Sequence, residues 1–260
     1  MPASRSIFFA PRLFLFMIAA VALAPLDRTA AASDDETPER RYRTCIAKAR
    51  AAPQAAFDDA LAWIGLGGGQ AARHCLAVAL IGLGQPSEGA RRLEELAGQA
   101  REPKMRSELL AQAAQGRLLA GDAARADDVL TAALRITPDN PELLIDRAGA
   151  RAQLKRYGEA AEDLTAALAR APRRADALAL RASARRFLDD ADGALKDAET
   201  ALALDPANTE ALLERGNLRR LKNDDAGARA DWLKILVLAP NGPAADAARK
   251  NLETMDVKPR

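Results

Sequence analysis

Small and apolar residues recur along this chain at the spacing of amphipathic helices, and the whole pattern repeats with a period of about 34 residues. Prolines mark the repeat at Pro138, Pro172, Pro206 and Pro240. Small residues recur between them at Ala148, Ala182 and Gly216, at Ala160, Ala194 and Ala228, and, with one larger member, at Ala167, Ala201 and Ile235. Residues this small let two helices pack closely. A repeat of this length predicts helix pairs stacked as a solenoid.

Four segments repeat the same turn and second helix. They read RLLAGDAARADDVLTAALRITP, LKRYGEAAEDLTAALARAP, LDDADGALKDAETALALDP and LKNDDAGARADWLKILVLAP. These segments resemble the tetratricopeptide repeat (TPR) family, whose units are helix-turn-helix pairs with small residues at positions 8, 20 and 27 and proline at position 32. The resemblance implies an all-α fold, a right-handed α-solenoid with units at 107–140, 141–174, 175–208 and 209–242.

The repeat pattern weakens outside these four units. A divergent TPR-like repeat containing ALIGLGQPSEGARRLEELAG is predicted over 70–106, and a degenerate N-terminal helical cap containing YRTCIAKARAAPQAAFDDALAWIG over 33–69. A C-terminal capping helix and tail are predicted over 243–260. Aromatic residues make up only 4% of the chain, which suits close helix packing better than a large aromatic core, and no apolar run alternates with the period of a strand.

The N-terminal segment 1–32 has the pattern of a secretory signal peptide. Arg5 and Arg12 precede or border the apolar stretch 13–26, and three alanines follow at 30–32. The apolar stretch is shorter than the roughly 20 residues that span a bilayer. We therefore expect cleavage after Ala32 and export to the periplasm of a Gram-negative-like cell, with an uncleaved N-terminal anchor facing the periplasm as the alternative.

Charge argues against a nucleic acid partner. The full chain has a formal net charge of +2, and the predicted cleavage removes three arginines and one aspartate, leaving no net charge. Acidic and basic residues are interspersed through every unit instead of forming a basic stripe. We therefore expect no nucleic acid binding, and contact with a membrane only through the transient signal peptide.

Two cysteines, Cys45 and Cys75, are present in the chain. An exported protein favours a disulfide between them, because oxidising compartments preserve such bonds and both lie on first helices of neighbouring pairs. The alternative is two separate small hydrophobic residues in helix interfaces.

Charged residues also recur with the repeat. Arginine occupies position 7 at Arg147, Arg181 and Arg215, and aspartate occupies position 23 at Asp163, Asp197 and Asp231. In the unit beginning at Ser107 both positions become apolar together, as Ala113 and Val129. We expect structural ion pairs, because a buried guanidinium and carboxylate need each other. A charged-ligand site is the alternative.

The family resemblance implies a concave groove lined by positions 5, 9, 12 and 13 of each unit. The predicted peptide-groove residues are Gln115, Leu119, Ile145, Gln153, Ser183, Arg186, Phe187, Asn217, Arg220 and Leu221. Position 2 is acidic in all four units, at Glu108, Glu142, Asp176 and Glu210, which suits a helix N-terminus and also gives the groove an acidic edge. The lysines by which family members clamp a terminal carboxylate are missing here.

No catalytic, metal or cofactor site is expected. His74 is the only histidine, and GLGGGQ at 65–70 lacks the residues of a phosphate or dinucleotide loop. The helix pairs use nearly the whole chain, leaving no room for a catalytic domain. The sequence therefore predicts a non-enzymatic scaffold or adaptor that binds a protein or peptide. The alternatives are a structural subunit of a cell-envelope complex that uses its convex face, and an accessory subunit that recognises an envelope glycan or lipid precursor.

Overall fold

The computed structural model describes residues 37–256, which form thirteen α-helices and no strand. The predicted signal peptide, residues 1–32, lies outside the described residues. The helices are α1 (Pro38–Ala51), α2 (Pro53–Gly65), α3 (Gly69–Gly82), α4 (Pro86–Gln99), α5 (Pro103–Leu119), α6 (Ala123–Ile136), α7 (Pro141–Gln153), α8 (Tyr157–Arg170), α9 (Ala175–Phe187), α10 (Ala191–Leu204), α11 (Thr209–Leu221), α12 (Asp225–Leu238) and α13 (Pro243–Asp256). The all-α solenoid expected from the repeat pattern is confirmed.

Each helix packs mainly against its neighbours in the chain, as in a stack of helix pairs. The first helices α5, α7, α9, α11 and α13 also contact one another in succession. In the described range, the second helices α6, α8, α10 and α12 have no comparable contact with one another. The stack is therefore tighter on the side of the first helices, so that these line its concave face.

In the repeat units from α3 to α12, the turn between the two helices has one residue in the left-handed region of backbone space. From the pair α3 and α4 onward, this residue is first a glycine, Gly84 and then Gly121, with φ of 76° each. The next three units use Lys155, Asp189 and Asn223 at φ of 61°, 61° and 63°. A left-handed residue after a helix ends it and redirects the chain, which makes each helix pair a tight hairpin.

Side-chain caps fix where the helices begin. Asp122, Asp190 and Asp224 each accept a hydrogen bond from the backbone N–H three residues later, at the start of α6, α10 and α12. Asn140 and Asn208 cap α7 and α11 in a similar way. These polar residues accept from amides that have no partner inside the helix, so each unit starts at a defined residue.

The core shows why small residues recur at position 8. A Cβ placed on Gly216 would lie 2.5 Å from Nε1 of Trp232, so this unit has glycine where the others have alanine. Gly216 is at position 8 of its unit and Trp232 at position 24. In the two preceding units, these positions hold Ala148 with Leu164 and Ala182 with Ala198. Trp232 is buried. Glycine at position 216 therefore makes room for the large side chain of Trp232 across the helix pair.

The glycine-rich segment is a turn. Helix α2 ends at Gly65 and α3 begins at Gly69, with Gly67 at φ 83° between them. None of the helices from residue 37 to residue 256 is long and apolar enough to cross a membrane.

Candidate functional site

One face of the first helices forms the floor of the concave surface. Positions 2, 6, 9 and 13 of a unit lie on that face, since about 3.6 residues complete each turn of helix. All four residues at position 2 are exposed, and so are all four at position 13. Position 13 is occupied by Leu119, Gln153, Phe187 and Leu221.

The prediction that Ile145 lines the groove is wrong. Ile145 is only 7% exposed and belongs to the main hydrophobic core. Position 5 lies about 60° around the helix from position 2, at roughly 100° per residue, and so faces the neighbouring helices. Position 6 is nearer the exposed face and was not predicted from the sequence. It is occupied by Gln112, Asp146, Leu180 and Glu214.

Three large apolar side chains are exposed at position 13. Leu119 is 71% exposed, Phe187 49% and Leu221 65%. The ring of Phe187 stacks on Tyr157 with 4.3 Å between centroids and 8° between planes. The guanidinium of Arg186 also lies over the Phe187 ring, at 4.3 Å. These contacts hold the ring in place and leave about half of it open to solvent.

Polar residues at position 9 lie one helical turn before this row. Gln115 is exposed, and Ser183 and Asn217 are partly exposed. Oδ1 of Asn217 accepts a hydrogen bond from Nδ2 of Asn251 on α13, at 2.8 Å. This bond leaves both N–H groups of Asn217 free of Asn251, so that they can donate to a bound backbone carbonyl.

The two arginines predicted for the groove have partners in the chain. Nε of Arg186 donates to Glu214 on the next first helix at 2.6 Å, and the Glu214 side chain is buried. Arg220 pairs with Asp225 at the start of α12. Arg186 therefore connects α9 to α11, which is a structural contribution to the groove floor.

The acidic register at position 2 is partly neutralised. Arg174 donates to Glu142 at 3.0 Å and to Asp176 at 2.7 Å, bridging two units. The hydrogen bond from Arg174 lowers the pKa of Asp176. Glu108 and Glu210 have no arginine or lysine partner among the described residues. The negative charge of the edge is therefore concentrated at its two ends.

Between the helices of three units, each aspartate at position 23 meets two arginines, and we call this arrangement the Arg–Asp–Arg cluster. In the middle unit, Arg181 binds Asp197 through both Nε and Nη2 at 2.8 Å, and Nη1 of Arg185 donates to the same carboxylate at 2.8 Å. The other clusters are Arg147, Asp163 and Arg151, and Arg215, Asp231 and Arg219.

The carboxylates of these clusters are buried, with the three aspartate side chains 6%, 6% and 4% exposed in chain order. The sequence indicated the arginines at position 7, and those at position 11 were missed. The signal was present, because Arg151, Arg185 and Arg219 recur at the spacing of the repeat. With every carboxylate oxygen occupied by guanidinium groups, the clusters stabilise the units and offer no open ligand site.

The N-terminal pairs are connected covalently. Cys45 on α1 and Cys75 on α3 form a disulfide. Both cysteines are buried, together with Trp63, in a small core separate from that of the repeats. No group of three or more metal-ligating side chains occurs in the part of the chain that the structure describes.

Comparison with known proteins agrees with this architecture. MamA, residues 41 to the end, from Desulfovibrio magneticus RS-1 is 24% identical over 65% of this chain and 94% of that chain, with a TM-score of 0.57. TTC0263, a thermophilic TPR protein of Thermus thermophilus, is 21% identical over 72% of this chain and 98% of that one, with a TM-score of 0.56. These likenesses show the fold, and the resemblance to TPR proteins is confirmed at that level.

A shorter match has higher identity. The second TPR domain of human RPAP3, solved in complex with the HSP70 peptide SGPTIEEVD, is 30% identical over 45% of this chain and 98% of that domain. Its TM-score of 0.44 is too low to guide an inference about the groove. No family model matches the chain, and no curated protein matches it either.

Proposed function

We propose that this protein is a non-enzymatic scaffold that binds a protein or peptide partner along its concave face. The observation that carries the proposal is the exposed apolar row Leu119, Phe187 and Leu221 on the first helices α5, α9 and α11. Grouped apolar side chains on a protein surface mark interaction sites. Solenoids use their extended concave surfaces for binding, and this row lies on that surface, with Gln153 at the same position of the unit 141–174.

The ligand that suits this surface is an extended segment of chain. Its apolar side chains pack against the row at position 13. Ser183 and Asn217 at position 9 and Gln153 at position 13 hydrogen bond its backbone. Phe187 is the anchor, because its stacking on Tyr157 limits the side-chain entropy lost on binding.

The proposal includes export to the periplasm. It rests on the arginines, apolar stretch and alanines of residues 1–32. The disulfide between Cys45 and Cys75 supports it, because oxidising compartments preserve such bonds. N-terminal sequencing of the periplasmic protein is expected to begin at Ser33. Full-length protein recovered from the membrane would instead support the anchored alternative.

Selection of binders from a displayed random-peptide library tests the groove. We expect Phe187→Ala and Asn217→Ala each to weaken binding of the selected peptides by about 1–2 kcal/mol, the effect typical of binding hot spots. Leu233→Ala is the matched control, because Leu233 is 48% exposed on the second helix α12. Peptides that lose affinity with Leu233→Ala but not with Phe187→Ala would contradict the proposal.

One observation favours a second candidate, a structural subunit that uses another face. Leu233 and Val237 on α12 are exposed, Val237 by 82%. The same register positions hold Thr131, Thr165 and Glu199, and Arg135, Ala169 and Ala203, in the other units. Crosslinking in the native cell distinguishes the two functions. A scaffold that binds in the groove should crosslink to its partner from position 187, and a structural subunit from position 237.

A further inference from the structure

A cavity of about 260 Å³ opens at the N-terminal end of the first helices. It is formed by α1, α3, α4 and α5, where the repeat pattern is weakest. Its lining residues are Tyr42, Gln70, Ala71, His74, Leu96, Met105, Glu108, Leu109 and Gln112. Glu108 and Gln112 are positions 2 and 6 of the first regular unit, so the cavity continues the exposed face of the groove.

A chain of hydrogen bonds holds the polar wall of this cavity. Nε2 of His74 contacts Oε1 of Gln112 at 2.8 Å, and Nδ1 contacts the hydroxyl of Tyr42 at 2.6 Å. An amide oxygen can only accept, so Nε2 donates to Gln112. Burial lowers the pKa of His74 and keeps its ring neutral, which makes Nδ1 an acceptor for the Tyr42 hydroxyl. The imidazole therefore fixes the orientation of both neighbours.

With its proton directed at His74, the Tyr42 oxygen presents only lone pairs to the cavity. The Gln112 oxygen has one lone pair left, and the Glu108 carboxylate accepts several hydrogen bonds. No lysine or arginine lines the cavity, and Glu108 is exposed. The only formal charge in the wall is therefore negative, and three acceptor groups line the cavity.

The rest of the wall is apolar. Its apolar lining is Ala71, Leu96, Met105 and Leu109, of which Leu96 and Leu109 are buried and Met105 is exposed. An aliphatic stem can pack here while its charged end reaches the acceptors, which is how lysine side chains distribute themselves between apolar and polar surroundings. An ammonium has three N–H donors for the three acceptors.

We propose that this cavity binds a lysine side chain of the segment held in the concave groove. The assignment rests on the proposed function, because it assumes a partner chain in that groove. It adds a chemical requirement, a lysine upstream or downstream of the apolar side chains that contact the row at position 13. The ammonium bonds Glu108, Tyr42 and Gln112, and the stem packs against Met105 and Leu109.

The test uses Nα-acetyl-lysine N-methylamide as the probe, at pH 7.5. His74 is the chain's only histidine, so its ring C–H signals report the cavity directly in NMR spectra of the purified protein. We expect a saturable shift of these signals with the lysine probe. The norleucine analogue, which has the stem without the charge, is expected to bind at least about fivefold more weakly.

Variants of the acidic register supply the control. Glu108→Gln is expected to weaken binding of the lysine probe by about fivefold. Glu210→Gln, at the same repeat position, is expected to leave the affinity for the probe unchanged. Equal effects of the two variants, or a norleucine or arginine probe that binds as tightly as lysine, would overturn the assignment. If Phe187→Ala has no effect on peptide binding but the lysine probe still binds, the scaffold proposal is rejected and lysine binding by the cavity is retained. The two proposals can therefore fail separately.

Discussion

The two ends of the described chain are stabilised by different chemistry. At the N-terminal end a disulfide joins α1 to α3, and His74 on α3 forms neutral hydrogen bonds with Tyr42 on α1 and Gln112 on α5. Units 141–174, 175–208 and 209–242 each contain a buried Arg–Asp–Arg cluster. The regular units can each contain the same Arg–Asp–Arg cluster because their geometry repeats. The irregular N-terminal pairs lack that repeat and are held by individual bonds, and the cavity lies among them.

The unit 107–140 shows the transition between the two regions. Ala113 and Val129 replace the position 7 arginine and the position 23 aspartate, and both are buried. Arg117 at position 11 is retained but donates to Glu94 on α4 at 2.8 Å. Glu94 also accepts from Arg125 at 2.6 Å. The charge network has thus moved from inside the unit to its boundary with the preceding pair.

Removing both arginines of one cluster should have the largest effect. Arg181→Ala with Arg185→Ala leaves Asp197 buried without a cation, and we expect a loss of about 4 kcal/mol in the free energy of unfolding. Arg181→Ala alone should cost less, because Arg185 keeps its bond to Asp197. Urea unfolding followed by circular dichroism measures both.

The exposed pair of Arg170 and Asp139 supplies the control for this experiment. Arg170→Ala should change stability by less than about 1 kcal/mol, since solvent screens such pairs. A double cluster variant no less stable than Arg170→Ala would show that the clusters do not stabilise the units.

Loss of the disulfide should have the next largest effect, at the other end of the chain. The bridge closes a loop with a sequence separation of 30 residues. Replacing both cysteines by serine should lower stability by about 3.5 kcal/mol in the chain-entropy model. Limited proteolysis should then cut first in α1 or α2. Wild-type protein treated with reductant should behave in the same way, and cleavage starting in α11 or α12 would contradict the regional assignment.

These differences bear on what the sequence could predict. The helix pairs, their units and the ion-pair register at positions 7 and 23 follow from a strict spacing, since a residue that recurs with the period of the repeat occupies the same place in each unit. The position 11 arginines have that spacing too, but their role depends on reaching across the helix pair to Asp163, Asp197 and Asp231. Ile145 at position 5 is buried, because that position lies about 60° around the helix from position 2 and faces the neighbouring helices.

The cavity could not have been found in the same way. Tyr42, His74 and Gln112 lie on three different helices, and the bonded pairs are 32 and 38 residues apart in the chain. No repeat relates them, so only the packing of α1, α3 and α5 brings them together. His74, for which the sequence predicted no catalytic or metal-binding role, contributes the hydrogen bonds that define the polar wall.

Converting a cluster to its apolar counterpart should have a smaller effect than removing its arginines. Arg181→Ala with Asp197→Val gives the unit 175–208 the pair found at Ala113 and Val129. No buried carboxylate is then left unpaired, and we expect a loss of only about 1 kcal/mol, because apolar replacement of buried ion pairs is often neutral. A loss as large as that of Arg181→Ala with Arg185→Ala, measured by the same urea unfolding, would show that the ionic contacts stabilise the unit by more than they cost in desolvation.

The smallest effect concerns pH and the N-terminal region alone. Burial lowers the pKa of His74 in the folded protein, so the unfolded chain takes up a proton at higher pH than the folded chain does. As pH falls from 7.5 through about 6.5, the ordinary value for histidine, the unfolded state binds more protons and the free energy of unfolding should decrease. The decrease ends once pH has passed the lowered pKa of the folded protein. Because the chain has one histidine, His74→Gln should remove this slope between pH 7.5 and 5.5.

Asn217→Ala, far along the groove, is the control for that variant and should keep the wild-type slope. A slope that persists in His74→Gln would mean that another group titrates on unfolding, and the hydrogen bonds of His74 to Tyr42 and Gln112 would then not account for the pH dependence. If the slope is lost together with the lysine-probe response of the cavity, both observations trace to the same neutral imidazole.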